Sequence, residues 1–123
     1  MLIEGFYTIE QFAIRGSDID ALITLNPDHE VYQGHFPGQP VVPGVIQLQM
    51  IKEILTKAVE KELLFGFISS AKYLSMIVPS ENQQLEISIH YEPTDTGDYM
   101  IRGQIGSGET VFTKIRGILS VQL

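Results

Sequence analysis

The sequence predicts an α+β domain in which a curved antiparallel sheet wraps around one long, buried helix. The chain has 123 residues, of which 44% are hydrophobic, so it is long and apolar enough for one packed core. A single segment has apolar residues at helical spacing. The segments on both sides of it alternate between apolar and polar residues, as strands do. We therefore expect one domain over residues 1–123.

The segments before the helix are predicted to be extended. Residues 6–14 alternate between apolar and polar side chains and end at turn-forming residues 15–18. Residues 21–25 read as a short strand that ends at the Asn-Pro-Asp sequence of residues 26–28. A segment rich in proline and glycine follows and leads into the helix.

The helix is predicted over residues 45–61, with Pro43 and Gly44 at its start. Its apolar stripe consists of Val45, Leu48, Leu55 and Val59. Further apolar side chains widen this stripe, namely Ile46, Met50, Ile51 and Ile54. The opposite face is polar and carries Gln49, Glu53, Thr56 and Glu60. A helix with so broad an apolar surface is expected to be largely buried.

The chain after the helix is predicted to be strand-like to its end. The predicted strands cover residues 65–74, 84–91, 99–105 and 110–121. Together with the earlier segments this gives four or five antiparallel strands around one helix. A lone sheet leaves its edge strands unprotected, and edge-to-edge pairing in a two-fold dimer would cover them.

Composition excludes several classes of function. The net charge of −7 leaves no surplus of lysine and arginine to neutralise phosphates, which argues against nucleic acid as a partner. The absence of cysteine excludes disulfides, thiol nucleophiles and thiolate metal sites. No apolar run is long enough to predict a membrane span. Residues 1–6 lack the basic segment of a signal peptide, so we expect a cytoplasmic protein.

The densest motif covers residues 34–46, which read GHFPGQPVVPGVI. Its prolines and glycines restrict the backbone and hold His35 beside the helix start. An imidazole suits a general base near neutral pH, although a structural histidine bonded to loop carbonyls would fit the same position. His29 and His90 lack such a context and are predicted to be structural or exposed. Three scattered histidines predict no metal site.

Residues 34–46 resemble the active-site segment of the bacterial 3-hydroxyacyl-acyl-carrier-protein dehydratases, which have the hot-dog fold. Residues 67–80, which read FISSAKYLSMIVPS, resemble the segment that follows the helix in that family. The resemblance is dense over the first segment and looser over the rest of the chain. It implies the removal of water from a (3R)-3-hydroxyacyl thioester to give the trans-2-enoyl thioester, in fatty-acid or polyene-type lipid biosynthesis.

The resemblance also implies roles for individual residues. His35 takes the α-proton, and a carboxylate on the buried helix of the neighbouring subunit protonates the departing hydroxyl. A backbone amide at the helix start, at Gly44, holds the thioester oxygen, and the free N–H groups there suit this task. Alternatively, Gly44 serves only a tight turn. The predicted substrate-binding residues along a tunnel at the dimer interface are Phe36, Pro43, Val45 and Glu53.

The implied substrate is carried on the phosphopantetheine of an acyl carrier protein, and the reaction needs no metal and no redox cofactor. A carrier would need a local basic patch, for which the candidates are Lys72, Arg102, Lys114 and Arg116, while Lys57 and Lys61 are expected to be surface residues at the helix end. The aromatic residues expected in the core or the tunnel are Phe65, Phe67 and Tyr73. The implied assembly is a homodimer, a heterodimer with a related subunit, or a higher assembly such as a trimer of dimers.

The chain departs from the family at Gln49, fourteen residues after His35, where the family carries its catalytic carboxylate. A glutamine amide can bind a hydroxyl but cannot deliver a proton as a carboxylic acid does. Three accounts remain open. His35 performs both proton transfers while Gln49 positions the hydroxyl; Glu53, one turn along the same helical face, substitutes as the acid; or this chain is a non-catalytic or half-catalytic subunit of a dehydratase heterodimer. An acyl thioesterase on the same fold is a further, weaker alternative, because such enzymes usually use a carboxylate to activate water.

Overall fold

The computed structural model describes residues 4–33 and 40–122, and this part of the chain forms six strands, one α-helix and a short 3₁₀ helix. In chain order these are β1 (Tyr7–Arg15), β2 (Asp18–Leu25), the 3₁₀ helix (Glu30–Gln33), α1 (Gly44–Val59), β3 (Leu63–Tyr73), β4 (Gln84–Pro93), β5 (Tyr99–Ser107) and β6 (Thr110–Val121). The predicted count of four or five strands was too low. The alternating residues 6–14 belong to a full strand, because β1 pairs along its length with β2.

The six strands of the described chain form one antiparallel sheet in the order β1-β2-β4-β5-β6-β3, with β1 and β3 at its edges. Helix α1 packs against one face of this sheet. The helix contributes Met50, Ile51, Ile54 and Leu55 to the core, and the central strands contribute Ile23, Ile87, Ile101 and Ile115. Gly103 on β5 leaves room for the helix, since a Cβ there would lie 3.3 Å from Ile51. The predicted α+β class is confirmed.

Helix α1 differs from the prediction in where it ends and in the burial of two residues. The helix ends at Val59 rather than residue 61, because Glu60 adopts the left-handed conformation with φ of 58°. Val45, predicted in the apolar stripe, is 70% exposed, since it lies about half a turn from Gln47 on the covered face. Glu53, predicted on the polar face, is only 8% exposed. Within residues 4–33 and 40–122, no helix has the length and apolar character needed to cross a membrane.

The edge strand β3 carries an exposed apolar surface. Its exposed apolar side chains, together with those just after it, are Leu64, Phe67, Ile68, Tyr73, Leu74 and Met76. Phe67 and Tyr73 are therefore not core residues of the single chain, since they are 60% and 48% exposed. Phe65 is half-buried and packs against the core, as predicted. An apolar edge strand of this kind is a surface that a second chain can cover.

Candidate functional site

The end of the histidine motif is fixed against the segment that follows β3. His35 and Phe36 lie outside the described residues, and the described chain resumes at residue 40. The backbone N–H of Val42 then donates a hydrogen bond of 2.9 Å to Ile77 O, and Val42 is buried. This contact holds the chain directly before α1 in one position relative to the sheet.

Gly44 lies in close contact with Tyr73 at the end of β3. A Cβ at Gly44 would lie 2.8 Å from Tyr73 Cζ, so a larger residue must displace the ring. The Tyr73 hydroxyl donates a hydrogen bond of 3.1 Å to Gly44 O, and burial raises the pKa of Tyr73, which keeps the phenol protonated. Gly44 has no positive φ. Its structural role is thus close packing against Tyr73 rather than the tight turn considered from the sequence.

The start of α1 keeps the donor groups that the sequence predicted. Pro43 precedes the first turn in an extended conformation, and no side chain of the described residues caps the helix there. The first N–H groups of a helix have no acceptor within the helix, and they lie at the positive end of its dipole. Val45 is exposed and Pro43 half-buried, so this helix end lies at the surface of the chain. The assignment of an oxyanion site to it remains a prediction.

Gln49, Glu53 and Tyr7 form a hydrogen-bonded row between α1 and β1. Gln49 Nε2 donates to Glu53 Oε2 over 2.9 Å, and the Tyr7 hydroxyl donates to Glu53 Oε1 over 2.7 Å. Burial, followed by the hydrogen bond to Glu53, raises the pKa of Tyr7 far above its ordinary value, so Tyr7 stays a donor. The structure therefore places a buried carboxyl group directly beside Gln49. The sequence indicated that Gln49 and Glu53 share a face but gave no signal for Tyr7.

A second buried polar pair joins the helix start to the sheet. Gln47 Nε2 donates to Val42 O over 3.1 Å, and Gln47 Oε1 accepts a hydrogen bond from Thr113 Oγ1 on β6. Gln47 is 3% exposed and Thr113 fully buried. Gln47 could not be singled out from the sequence, because a glutamine in an apolar helical pattern gives no sign of whether it is buried. This pair fixes both the helix and the end of the histidine motif.

Two clefts adjoin these groups. A cleft of about 620 Å³ lies at the helix start, between Gly44 and the residues that follow Tyr73. A second cleft, of about 470 Å³, lies beside Tyr7, Glu53 and Thr56. The first lies where the predicted thioester site would be, and the second gives solvent a route to Glu53.

The four cations proposed for a carrier contact have a definite arrangement. Arg102 on β5 lies directly opposite Arg116 on β6, and Lys114 lies directly opposite Lys72 on β3. All four are exposed, and Arg102, Lys114 and Arg116 lie on the sheet face that points away from α1. Within the described part of the chain none of them forms an ion pair. Like charges directly opposite one another repel, so this surface favours an anionic partner.

The two described histidines have structural surroundings, as predicted. His29 Nδ1 accepts a hydrogen bond from Val31 N over 3.0 Å, while Nε2 lies 2.9 Å from Glu4 O. His90 bonds to Asp18 over 2.8 Å and to Glu92 over 3.4 Å. These two carboxylates raise the pKa of His90 above its ordinary value. Neither histidine lines the cleft at the helix start.

A sheet wrapped around one helix, with the histidine motif leading into the helix start, is the arrangement of the hot-dog fold dehydratases. The family model described as ApeI-like, ApeI dehydratase, matches residues 11–109, and the chain belongs to this family. The recognition made from residues 34–46 is thereby confirmed at the level of the family.

The curated relatives that match the chain have about 30% sequence identity to it. The chain is 29% identical over 98 residues to the 3-hydroxyacyl-[acyl-carrier-protein] dehydratase FabZ of Clostridium acetobutylicum, a match that covers 74% of this chain and 62% of the relative. The FabZ of Ligilactobacillus salivarius is 30% identical over 98 residues, with the same coverage of 74% and 62%. The chain thus spans 62% of the length of these relatives.

Solved structures share the fold at low sequence identity. The dehydratase heterocomplex ApeI:P from Xenorhabdus doucetiae matches with a TM-score of 0.74 and 18% identity, covering 92% of this chain and 96% of that chain. An HP0420 homologue from Helicobacter felis matches with a TM-score of 0.69 and 13% identity, covering 98% and 93%. The thioesterase HI1161 from Haemophilus influenzae matches with 0.64 and 15%, covering 94% and 78%. These likenesses confirm the hot-dog fold.

Proposed function

We propose that this protein removes water from a (3R)-3-hydroxyacyl thioester to give the trans-2-enoyl thioester, in fatty-acid or polyene-type lipid biosynthesis. The observation that carries the proposal is the fixed segment between the histidine motif and the helix. Val42 anchors this segment to Ile77, and the chain enters α1 at Gly44 with Gln49 on the same helix. Membership of a dehydratase family supports the same class of reaction.

The proposed reaction needs a base, an acid and donors for the thioester oxygen. His35 takes the proton from C2, and the electrons of that bond form the C2–C3 double bond while the hydroxyl leaves C3 and becomes water on protonation. The N–H groups at the start of α1 hold the charge that develops on the thioester oxygen. The elimination balances without a metal or redox cofactor, and we propose that neither takes part.

We propose that the substrate arrives on an acyl carrier protein that docks on the outer sheet face. Arg102, Arg116, Lys114 and Lys72 support this proposal, because they bring together four of the chain's eight lysine and arginine residues in a protein of net charge −7. Lys72 directly precedes Tyr73, which contacts the helix start. The end of β3 therefore connects the cations of the outer face to the cleft beside Gly44, which lies on the helix side of the sheet.

A second candidate is a half-catalytic subunit of a dehydratase heterodimer. Two observations favour it. Gln49 stands where the family carries a carboxylate and has no acidic proton to give. The exposed apolar side chains of β3 support pairing with another sheet of the same kind. The solved ApeI:P structure is a dehydratase built of two different subunits. In such a pair, His35 of this chain would work with the carboxylate of the partner.

Both candidates are tested by mass spectrometry on a carrier-bound 3-hydroxyacyl thioester. If the purified protein alone forms the enoyl product and His35→Ala does not, the protein is a dehydratase that acts without a second kind of subunit. If the protein alone forms no product and Gln49→Glu gains activity, the second candidate, a half-catalytic subunit of a heterodimer, replaces the first. Release of the free acid from the thioester would instead identify a thioesterase and contradict both.

A further inference from the structure

We infer that the outer face of the sheet, which points away from α1, binds the outer face of a second copy of this chain. The observation that carries the inference is the separation of opposite charges across this face. Carboxylates lie on β2 and β4, whereas cations lie on β5 and β6. The carboxylates are Asp18, Asp20, Glu86 and Glu92, and the cations are Arg102, Lys114 and Arg116. These side chains alternate along their strands with buried or half-buried residues, so they share the outer face.

The strand register arranges these charges in two rows that run across the sheet from β2 to β6. The first row consists of Asp18, His90, Arg102 and Arg116, and the second of Asp20, Ser88, Gln104 and Lys114. All eight side chains line one cleft of about 490 Å³ on the outer face. Each row therefore begins with a carboxylate on β2 and ends with a cation on β6.

A two-fold axis parallel to the strands makes these rows complementary to themselves. The middle of the sheet lies between β4 and β5. Rotation about an axis there brings β2 of each copy over β6 of the other and keeps every row opposite its own counterpart. Asp18 of one copy then faces Arg116 of the other. In the second row Asp20 faces Lys114, and each pair occurs twice because a two-fold interface is isologous.

The twist of the two sheets leaves these pairs within reach of one another. Strands β2 and β6 each lie one and a half strand spacings, or about 7 Å, from the axis. Packed sheets cross at about 30°, which at this distance shifts facing residues by only about 4 Å along the strand. The long, flexible side chains of arginine and lysine can take up a shift of this size.

The charges of the outer face are only partly neutralised within one chain. Arg15 pairs with Asp20, and His90 pairs with Asp18, so the carboxylates of β2 are partly offset. The cations of β5 and β6, by contrast, form no ion pair within residues 4–33 and 40–122. A second copy supplies these cations with carboxylates, and each carboxylate has a second oxygen to accept them.

The contact should be weak and sensitive to salt. The four central strands present a surface about 19 Å wide and, at the eight residues of β2, about 26 Å long. Two such surfaces bury roughly 1,000 Å² in total, which is near the lower limit of a specific interface. Exposed ion pairs contribute little each and are screened by salt. The second copy covers the cations proposed for the carrier, so the two partners would compete; only this competition rests on the proposed function.

The test is a charge exchange read by sedimentation velocity on the full chain. In low-salt buffer the mass of wild type should at least double between dilute and concentrated solution, and added salt should reverse this. Asp18→Lys combined with Asp20→Lys makes both ends of each row basic. Lys114→Glu combined with Arg116→Glu makes both ends acidic. Each variant alone should associate roughly 10-fold more weakly than wild type or worse, and an equimolar mixture should associate again because opposite charges then face each other.

Glu62→Lys combined with Glu81→Lys is the charge-matched control, because both residues are exposed and neither belongs to the strands of the outer face; it should associate as wild type does. A wild type that keeps its dilute-solution mass at every concentration would overturn the inference and leave this face to the carrier. Association of both outer-face variants at the strength of wild type, or a mixture that fails to associate, would overturn it too. None of these readings depends on dehydration, so their failure leaves the proposed function untouched.

Discussion

At the scale of single residues, the buried pair of Gln47 and Thr113 governs how firmly α1 is held on the sheet. Gln47 uses its amide nitrogen for Val42 O and its amide oxygen for Thr113. A buried polar group that loses its partner costs free energy, because it no longer has water or a partner to satisfy it. The stability of the helix start therefore depends on a hydrogen bond from Thr113, a residue far from Gln47 in sequence.

Thr113→Val should lower the free energy of unfolding by about 1–3 kcal/mol, because the isosteric side chain leaves Gln47 Oε1 without its donor. Urea denaturation followed by circular dichroism measures the change. Thr110→Val, at an exposed position of the same strand, serves as the control and should change stability little. Equal stability of the two variants would show that the buried pair contributes nothing.

The His90 side chain should titrate above its ordinary pKa of 6.5, because Asp18 and Glu92 favour the protonated ring. A raised pKa in the folded state means that the interaction stabilises the protein fully below pH 6.5 and is lost as the pH rises through the folded-state pKa. An NMR titration of the ring protons measures it. Asp18→Asn should bring the pKa back toward the ordinary value, and an unchanged value would refute the assigned cause.

At the scale of elements, the sheet has two distinct exposed surfaces. The face that points away from the helix carries the cations of β5 and β6. The edge at β3 carries apolar side chains that α1 does not cover. The first surface suits an acidic carrier and the second suits another sheet.

Reversing the charge of the outer face should weaken only the carrier-bound reaction. We expect Arg102→Glu combined with Arg116→Glu to raise KM for the carrier-bound substrate roughly 10-fold or more, with kcat and the kinetics of a small N-acetylcysteamine thioester unchanged. Steady-state assays at low and high salt measure this difference. Lys57→Glu with Lys61→Glu, at the far end of the helix, is the charge-matched control. An equal effect on both substrates would contradict a carrier surface.

A charge among the exposed apolar side chains of β3 should prevent dimer formation. Ile68 lies opposite Gly117 on β6 and is 38% exposed, so Ile68→Lys places an ammonium group on the surface that a second sheet would bury. Sedimentation velocity should show a dimer for wild type and a monomer for this variant. Met100→Lys, on β5 and 52% exposed, should remain dimeric. A monomeric wild type would exclude edge pairing between identical chains.

At the scale of the whole molecule, the sequence predicted the α+β class, the helix and the strands after it, because each depends on local periodicity. Burial on the helix was predicted less well. Val45 is exposed and Glu53 buried, since the position of the sheet, and not the helical pattern, decides which face is covered. Tyr7 could not be assigned to the site, because its contact with Glu53 joins residues 46 positions apart.

The measurement that tests the account most directly is the conversion of a carrier-bound 3-hydroxyacyl thioester by the purified protein, followed by mass spectrometry of the intact carrier. Wild type should form the enoyl thioester with the loss of one water, and His35→Ala should form none at the same protein concentration. Full turnover by His35→Ala would contradict it, because the base on which the whole mechanism depends would then be dispensable.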